Sequence, residues 1–169
     1  MISLLCQKSI KFIPIYCFII YLITNDLIYL LLFIGLLLSL IFNILLKCII
    51  GIINYNSFLR PYSIKKDNIC INDILLNVGM PSAHSQLVWT FSTFLILLYH
   101  KHHYNKQITI LLLIISFLIS ISRTGTYIGY PNHTFCQVII GSLIGIIIGI
   151  VFYSNIEYFT TLNNSYTII

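Results

Sequence analysis

Charge is what this sequence has least of. Lys, Arg, Asp and Glu together make up 8% of its 169 residues, and only four are acidic. A soluble domain carries about 25% charged residues. Hydrophobic residues reach 59%, against about 45–50% in soluble chains. Because roughly 55–60% of any folded surface is already apolar, a soluble fold of this size could not hide the excess. Lipid contact removes the difficulty, and the first conclusion is an integral membrane protein. The lack of carboxylates speaks against a magnesium–phosphate site, which draws on them; only Asp67 and Asp73 fall near the polar region described below. The net charge is +5, but no basic run exceeds Lys65-Lys66 and the Lys101 region, so nucleic acid is excluded as a partner. Attraction to anionic lipid heads remains. The five cysteines are odd in number and none is paired at metal-ligand spacing. Cys17, Cys48 and Cys136 lie in or beside apolar runs, where the thiol acts as a small hydrophobe. No small-residue cleavage site follows Lys8 and Lys11, so the first apolar run is read as staying attached. No linker divides the chain, and residues 1–169 are taken as one membrane-embedded domain.

What the chain has instead is long continuous apolar runs. Residues 1–11 read as a short interfacial piece. Five membrane segments follow, at Phe12–Thr24, about Leu27–Leu46, Pro81 to about Tyr99, about Ile108–Ile121 and His133 to about Tyr153. The first falls short of the ~20 residues a perpendicular span needs. Asn25-Asp26 makes a tight break between the first two. Ile69, Ile71, Ile74 and Leu75 suggest one side of a short interfacial helix in the polar stretch 48–80. Only helices or closed barrels satisfy their backbone in lipid, and unalternating runs select helices. The expected fold is therefore all-α, a polytopic bundle of about five membrane segments with its site at the membrane boundary. Counting spans puts Lys47–Met80 and Arg123–Asn132 at one membrane face and the Lys101 loop at the other.

A few residues are out of place in such a chain. Its two arginines, Arg60 and Arg123, lie at expected membrane boundaries on the same face, where snorkelling anchors are the ordinary explanation. Pro81-Ser82-Ala83-His84 opens the third segment. Ser82 suits an N-cap, and a helix start there offers free N–H groups and a favourable dipole to phosphate. His133, Gln137, Gly141, Gly145 and Gly149 recur every fourth residue and form one stripe. Glycine stripes are usually packing devices; here His133 and Gln137 extend the stripe to the polar end, with Gln137 placed to accept from one imidazole nitrogen. One face thus gathers Lys47, Arg60, Ser82, His84, Arg123 and His133. Three cations suit a phosphoryl group, arginine especially because its planar fork binds two oxygens. Two histidines suit attack on phosphorus by one and proton donation by the other. His100, His102 and His103, with Lys101, read as a solvated loop.

With these residues in place, the sequence resembles the type 2 phosphatidic acid phosphatase superfamily. That family's signature has three parts: a lysine, six residues and Arg-Pro; Pro-Ser-Gly-His; and Ser-Arg, five residues, His, three residues and usually Asp, then glycines. Pro81-Ser82-Ala83-His84 matches the second with alanine for glycine. Ser122-Arg123, His133, Gln137, Gly141 and Gly145 match the third, with nine residues (124–132) where the family has five. Arg60-Pro61 matches part of the first. Ile53 stands in the expected lysine place, and Lys47 resembles the family lysine with six extra residues after it. Both departures lie in loops, where insertion costs little. Gly79 to Gln86 with Trp89, and His133-Thr134-x-x-Gln137-Val138, look like the dolichyl pyrophosphate phosphatase branch. The resemblance runs from about Asn43 to Gly145, within a core of about 43–150.

The resemblance implies that His133 is the nucleophile that forms a phosphohistidine and His84 the acid that protonates the leaving phosphate. It implies that Lys47, Arg60, Ser82, the Ala83 backbone and Arg123 hold phosphoryl oxygens, that Gln137 orients His133, and that no metal or cofactor is needed. It further implies an endoplasmic reticulum enzyme, its site facing the lumen, that hydrolyses a long-chain polyprenyl diphosphate to the monophosphate and inorganic phosphate. Such an enzyme recycles the lipid carrier of glycosylation. Trp89, Phe91 and Phe94 would then either flank the prenyl tail or pack the core. Three readings compete: a phosphatase for another lipid phosphate such as phosphatidic acid, a non-catalytic protein that binds phosphorylated lipid, and a small channel or transporter.

Overall fold

The computed structural model describes residues 2–61, 63, 70–102, 106–124 and 133–166. Lys65, Lys66, Asp67 and Asn68, expected in water or among head groups, lie outside the described residues, as do Ile69, His103 and the loop residues Gly125, Gly129 and Pro131. Among the described residues the fold has six α-helices: α1 (Ile2–Thr24), α2 (Leu27–Asn54), α3 (Ile71–Asn77), α4 (Ala83–His102), α5 (Lys106–Ser122) and α6 (Phe135–Tyr166), with a 3-10 turn at Tyr55–Ser57. Residues 2–11 continue into the first apolar segment as one helix with Pro14 inside it, so no separate interfacial piece precedes it. The expected break falls at Asn25, whose φ of 56° is left-handed, a region asparagine tolerates. Its N–H donates to the Tyr21 carbonyl at 2.7 Å, and Asp26 caps α2 by accepting the Ile28 N–H at 3.0 Å.

The expectation of about five membrane segments is corrected. Among the described residues, only two helices are long and apolar enough to cross a membrane, Leu27–Ser57 and Phe135–Ile156. Phe12–Thr24 and Lys106–Ser122 are apolar but short. At 1.5 Å per residue, Lys106–Ser122 rises only about 26 Å, less than a hydrocarbon core of roughly 30 Å, and Phe12–Thr24 is the apolar part of the longer α1. α4 fails for a different reason. Its 20 residues would reach, but Ser85, Gln86, Thr90 and Ser92 make it too polar to count as a span; all four are fully buried, and the helix packs against α1, α2, α5 and α6. It is the central post of the bundle. Counting apolar runs does not tell a helix wrapped by protein from one wrapped by lipid. The same-face argument relied on that count and falls with it; the polar residues meet through packing instead.

The most extensive contact is between α4 and α6, and the glycine stripe explains it. A Cβ on Gly141 would lie 2.6 Å from the Ser82 carbonyl oxygen, one on Gly145 would fall on the Gln86 carbonyl, and one on Gly149 would lie 2.9 Å from the Thr90 carbonyl. Each glycine therefore admits the α4 backbone, turn by turn. α2 meets α4 differently, through a buried polar network. Asn43 Nδ2 donates to Gln86 Oε1 at 2.7 Å; Gln86 Nε2 donates to the Ser39 carbonyl at 2.8 Å and to Ser39 Oγ at 3.1 Å; Ser39 Oγ and Thr90 Oγ1 share a bond at 3.2 Å. On the other side, Trp89 Nε1 donates to Ser120 Oγ at 3.0 Å and Ser116 Oγ to Ser92 Oγ at 2.6 Å, tying α5 to α4. Phe94 is buried with Leu32, Leu36 and Leu87, and Phe91 packs on that cluster. Core packing thus accounts for Phe91 and Phe94, and Trp89 is held against α5.

α3 confirms the short helix expected around Ile74. Ile74 is buried with Tyr55 and Val78, whereas Ile71 is 68% exposed. The missing side chain of Gly51 makes room for Ile74.

Candidate active site

Four strands of evidence in the chain converge at the upper end of α4 and α6. The first is the segment leading out of α2. Lys47 is not at the end of a helix, as the sequence suggests, but about two turns inside α2. It is buried, on the stripe Gly35, Ser39, Asn43, Lys47 and Gly51. Beyond the 3-10 turn, the chain runs beside residues 77–79. Leu59 bridges to Val78 in antiparallel fashion. The Arg60 N–H donates to the Asn77 carbonyl at 2.8 Å, and the Gly79 N–H to the Phe58 carbonyl at 2.9 Å. Six extra residues between Lys47 and Arg60 are absorbed by the remainder of α2 and this turn. Lys47 still stands close enough to Arg60 and Arg123 to feel both charges.

The third-motif insertion is absorbed just as simply. The His133 N–H donates to the Arg123 carbonyl at 3.2 Å. Arg123 and His133, on either side of the longer stretch, are thus in direct contact. Arg123 is 5% exposed and His133 2% exposed. At the start of α4, Ser82 accepts the Gln86 N–H through its carbonyl at 3.0 Å, as the residue before a helix should. Its hydroxyl is fully buried and accepts from Ser85 Oγ at 3.2 Å. Its N–H donates to the Gln137 carbonyl at 3.1 Å, which locks the first turn of α4 to that of α6. Ala83 and His84 follow in that first turn and are half-buried. They are more open to the outside than Ser82 beside them.

The ring of His133 is oriented by an atom the sequence did not suggest. Its Nδ1 lies 2.9 Å from the Gly79 carbonyl oxygen. A carbonyl can only accept, so Nδ1 carries the hydrogen and Nε2 is left with its lone pair. The hydrogen bonds of Gln137 lead elsewhere: Nε2 donates to the Phe58 carbonyl at 3.3 Å and the Leu59 carbonyl at 3.1 Å, while Oε1 accepts the Thr134 N–H at 3.0 Å. The expectation that Gln137 orients His133 is corrected on this geometry. Gly79 was the missed residue. The signal for it was present, because a Cβ there would collide with the Gln137 side chain, but only the fold reveals that neighbour. Asn43 and Gln86 were missed as a pair, although Ser39, Asn43 and Lys47 recur every fourth residue.

The electrostatics ask for an anion. Burial pushes the His133 imidazole down to about 3, helped by the charges of Arg60, Arg123 and Lys47, in that order, and opposed only by Gly79. The ring is therefore neutral at physiological pH. Burial and then Arg60 hold Arg123 down at about 10, and burial holds Arg60 below its ordinary value. Among the described residues, Arg60 Nε and Arg123 Nε are buried without a hydrogen-bond partner. Buried charges that repel one another and leave donors open are costly until a multivalent anion enters. Among the described residues, no group of three His, Cys, Asp or Glu side chains is placed to hold a metal ion.

Comparison with known proteins agrees with this geometry. Residues 28–161 match the family model described as the PAP2 superfamily. Dolichyldiphosphatase 1 of Dictyostelium discoideum is 37% identical over 83 residues, which cover 47% of this chain and 36% of that protein. The chain thus spans little more than a third of that relative's length. No solved structure matches.

Proposed function

This chain belongs to the PAP2 superfamily, and from that premise we propose that it hydrolyses a long-chain polyprenyl diphosphate to the monophosphate and inorganic phosphate without a metal. A PAP2-type lipid phosphatase is the general reading that its family and its apolar helices carry. The observation that carries the specific reaction is His133: a neutral imidazole with Nδ1–H on Gly79, set among Lys47, Arg60 and Arg123. In this reading the Nε2 lone pair attacks the terminal phosphorus. The P–N bond forms as the P–O bond to the polyprenyl monophosphate breaks. His84, entering as imidazolium, gives its proton to the departing oxygen. Water then attacks the phosphohistidine, passes its proton to His84 and releases inorganic phosphate. Arg60 and Arg123 offer their open Nε donors, and with them Lys47, to the equatorial oxygens, whose charge spreads in the transition state. Ser82 and the Ala83 N–H complete the cradle, aided by the α4 dipole.

Two features support a greasy diphosphate over a soluble one. The Dictyostelium relative is named for dolichyl diphosphate. A groove of about 360 Å³ between α2 and α6, the two candidate spans, is lined by Gly35, Leu38, Phe42, Leu45 and Phe152. It also takes in Ser39, so it borders the α2 stripe that leads through Asn43 to Lys47. An endoplasmic reticulum membrane, with the pocket on the luminal side, and action of residues 1–169 as one domain belong to the same proposal.

The test is phosphate release from a polyprenyl diphosphate by purified protein in detergent with EDTA present. Wild type releases phosphate, and His133→Ala reduces the rate by about 10³-fold or more, as expected for loss of a covalent nucleophile. Full activity in His133→Ala, or dependence on added metal, would end this mechanism. Release from phosphatidate alone would reassign the substrate and keep the chemistry.

A further inference from the structure

Gln137 is buried in the first turn of α6, and every polar group it has is in use. Its carbonyl takes the Ser82 N–H, its N–H donates to Thr134 Oγ1 at 3.3 Å, and Oε1 takes the Thr134 N–H. The amide nitrogen spends its two hydrogens on Phe58 and Leu59, the residues that lead directly into Arg60. The Phe58 carbonyl is also held by Gly79, and Arg60 itself is tied to Asn77. Gly79 lacks the Cβ that would displace Gln137 from this position.

We infer that Gln137 is a positioning residue for Arg60, acting through the Phe58 and Leu59 carbonyls, and that an amide is needed there because both partners are acceptors. This rests on the phosphatase reading above and adds to it. Arg60 reaches the pocket from an irregular segment, not from a helix, so nothing intrinsic to its backbone sets its direction. The clamp supplies that. It joins the segment before Arg60, through the side chain, and Ser82, through the main-chain carbonyl, to one residue, and it shares the Phe58 carbonyl with Gly79. A carboxylate of the same length could still accept from Thr134 but would face two carbonyls with no hydrogen to offer.

A double-mutant cycle tests this, with a short-chain prenyl diphosphate as substrate and inorganic phosphate as inhibitor. Gln137→Leu is expected to raise KM and the phosphate inhibition constant about tenfold, the effect of losing a well-placed charged contact. In an Arg60→Ala background the same change should add almost nothing, because Gln137 acts through the missing group. The His133 tautomer, with its hydrogen on Nδ1 toward Gly79, followed by nitrogen NMR, should not change with Gln137→Leu. Additive losses, or a changed His133 tautomer, would overturn the inference and return Gln137 to the histidine. If Gln137→Leu does not fold, Gln137→Glu keeps the size and the Thr134 bond; normal phosphate inhibition in folded Gln137→Glu overturns the inference equally. Wild-type protein inactive on every lipid phosphate defeats the underlying reading, whereas active wild type with additive losses defeats this inference alone.

Discussion

α2 and α6 carry stripes of the same period that do different work against the same central helix. On α6, Gly141, Gly145 and Gly149 present bare backbone, and α4 lies against it carbonyl by carbonyl. On α2, Ser39 and Asn43 present side chains, and α4 is held by hydrogen bonds through Gln86 and Thr90. One stripe ends in His133 and Gln137, the other in Lys47. On the opposite side of α2, Leu38, Ile41 and Leu45 are each more than half exposed. Apolar residues face outward and small or polar ones inward, the reverse of a soluble helix. The close seam gives a fixed distance between the first turns of α4 and α6. The polar seam gives a fixed register for the lysine. A phosphoryl pocket needs both.

The seam of glycines should be the harder one to disturb. In Gly145→Ala the new methyl meets the Gln86 carbonyl, which is backbone and cannot turn away. A loss of about 3 kcal/mol, the upper part of the overpacking range, is expected in thermal unfolding in detergent. Gly35→Ala is the control, because its neighbour is the ring of Phe152, which can shift. Equal losses at both positions would contradict the distinction drawn between the seams.

The polar seam should respond to truncation less severely, and in a way that can be repaired. Asn43→Ala strands Gln86 Oε1 in the interior, at a cost of about 2 kcal/mol for a buried unsatisfied group. Replacing Asn43 and Gln86 together by Leu should recover part of that, since no orphan remains. A double variant as unstable as the sum of the singles would show that the network is worth more than its satisfied bonds.

Lys47→Met should move stability and affinity in opposite directions. Removing one of three mutually repelling cations should stabilise the empty protein by roughly 1 kcal/mol. It should weaken inhibition by inorganic phosphate and raise the His133 titration, which Lys47 helps to depress. A variant both less stable and normal in phosphate inhibition would remove Lys47 from the pocket.

The last effect concerns pH. The His133 imidazole is held at about 3, below its usual value near 6.5. The unfolded chain therefore takes up a proton as pH falls through about 6.5, and the folded protein does not until about 3. Stability from this group is complete above 6.5 and declines through that window. The melting temperature should fall on acidification, and His133→Gln should flatten that part of the profile. A free-enzyme acid limb in kcat/KM near 6 would not belong to His133.

Much of the site was readable from residue order alone. Arg60-Pro61, Pro81 to His84, Arg123 and His133 are short runs whose chemistry is local, and a phosphoryl group calls for those side chains in any arrangement. The α6 stripe was also readable, because helical period requires no tertiary knowledge. Three things were not. The number of spans failed at α4, whose apolar run is interrupted by serines, Gln86 and Thr90 that are sealed against neighbours. The partner of His133 failed because a backbone carbonyl leaves no trace in a sequence; Gly79 is recognisable only once Gln137 lies against it. Lys47 looked like a helix end because the run of apolar residues pauses there, yet the helix continues to Asn54.

By itself, the sequence determined the chemistry on offer: a lipid-compatible helical chain with five imidazoles, His84 and His133 among them, few cations and hardly any carboxylates. Those are properties of composition and local period, which survive any folding. Only the tertiary structure decided which atoms face one another. Residues from α2, the segment after it, α4 and α6 are separated by dozens of positions, and their meeting depends on how closely the glycine-lined α6 lets the α4 backbone approach. That closeness also decided the charge state of His133, because desolvation and the fields of distant cations exist only once the chain has packed.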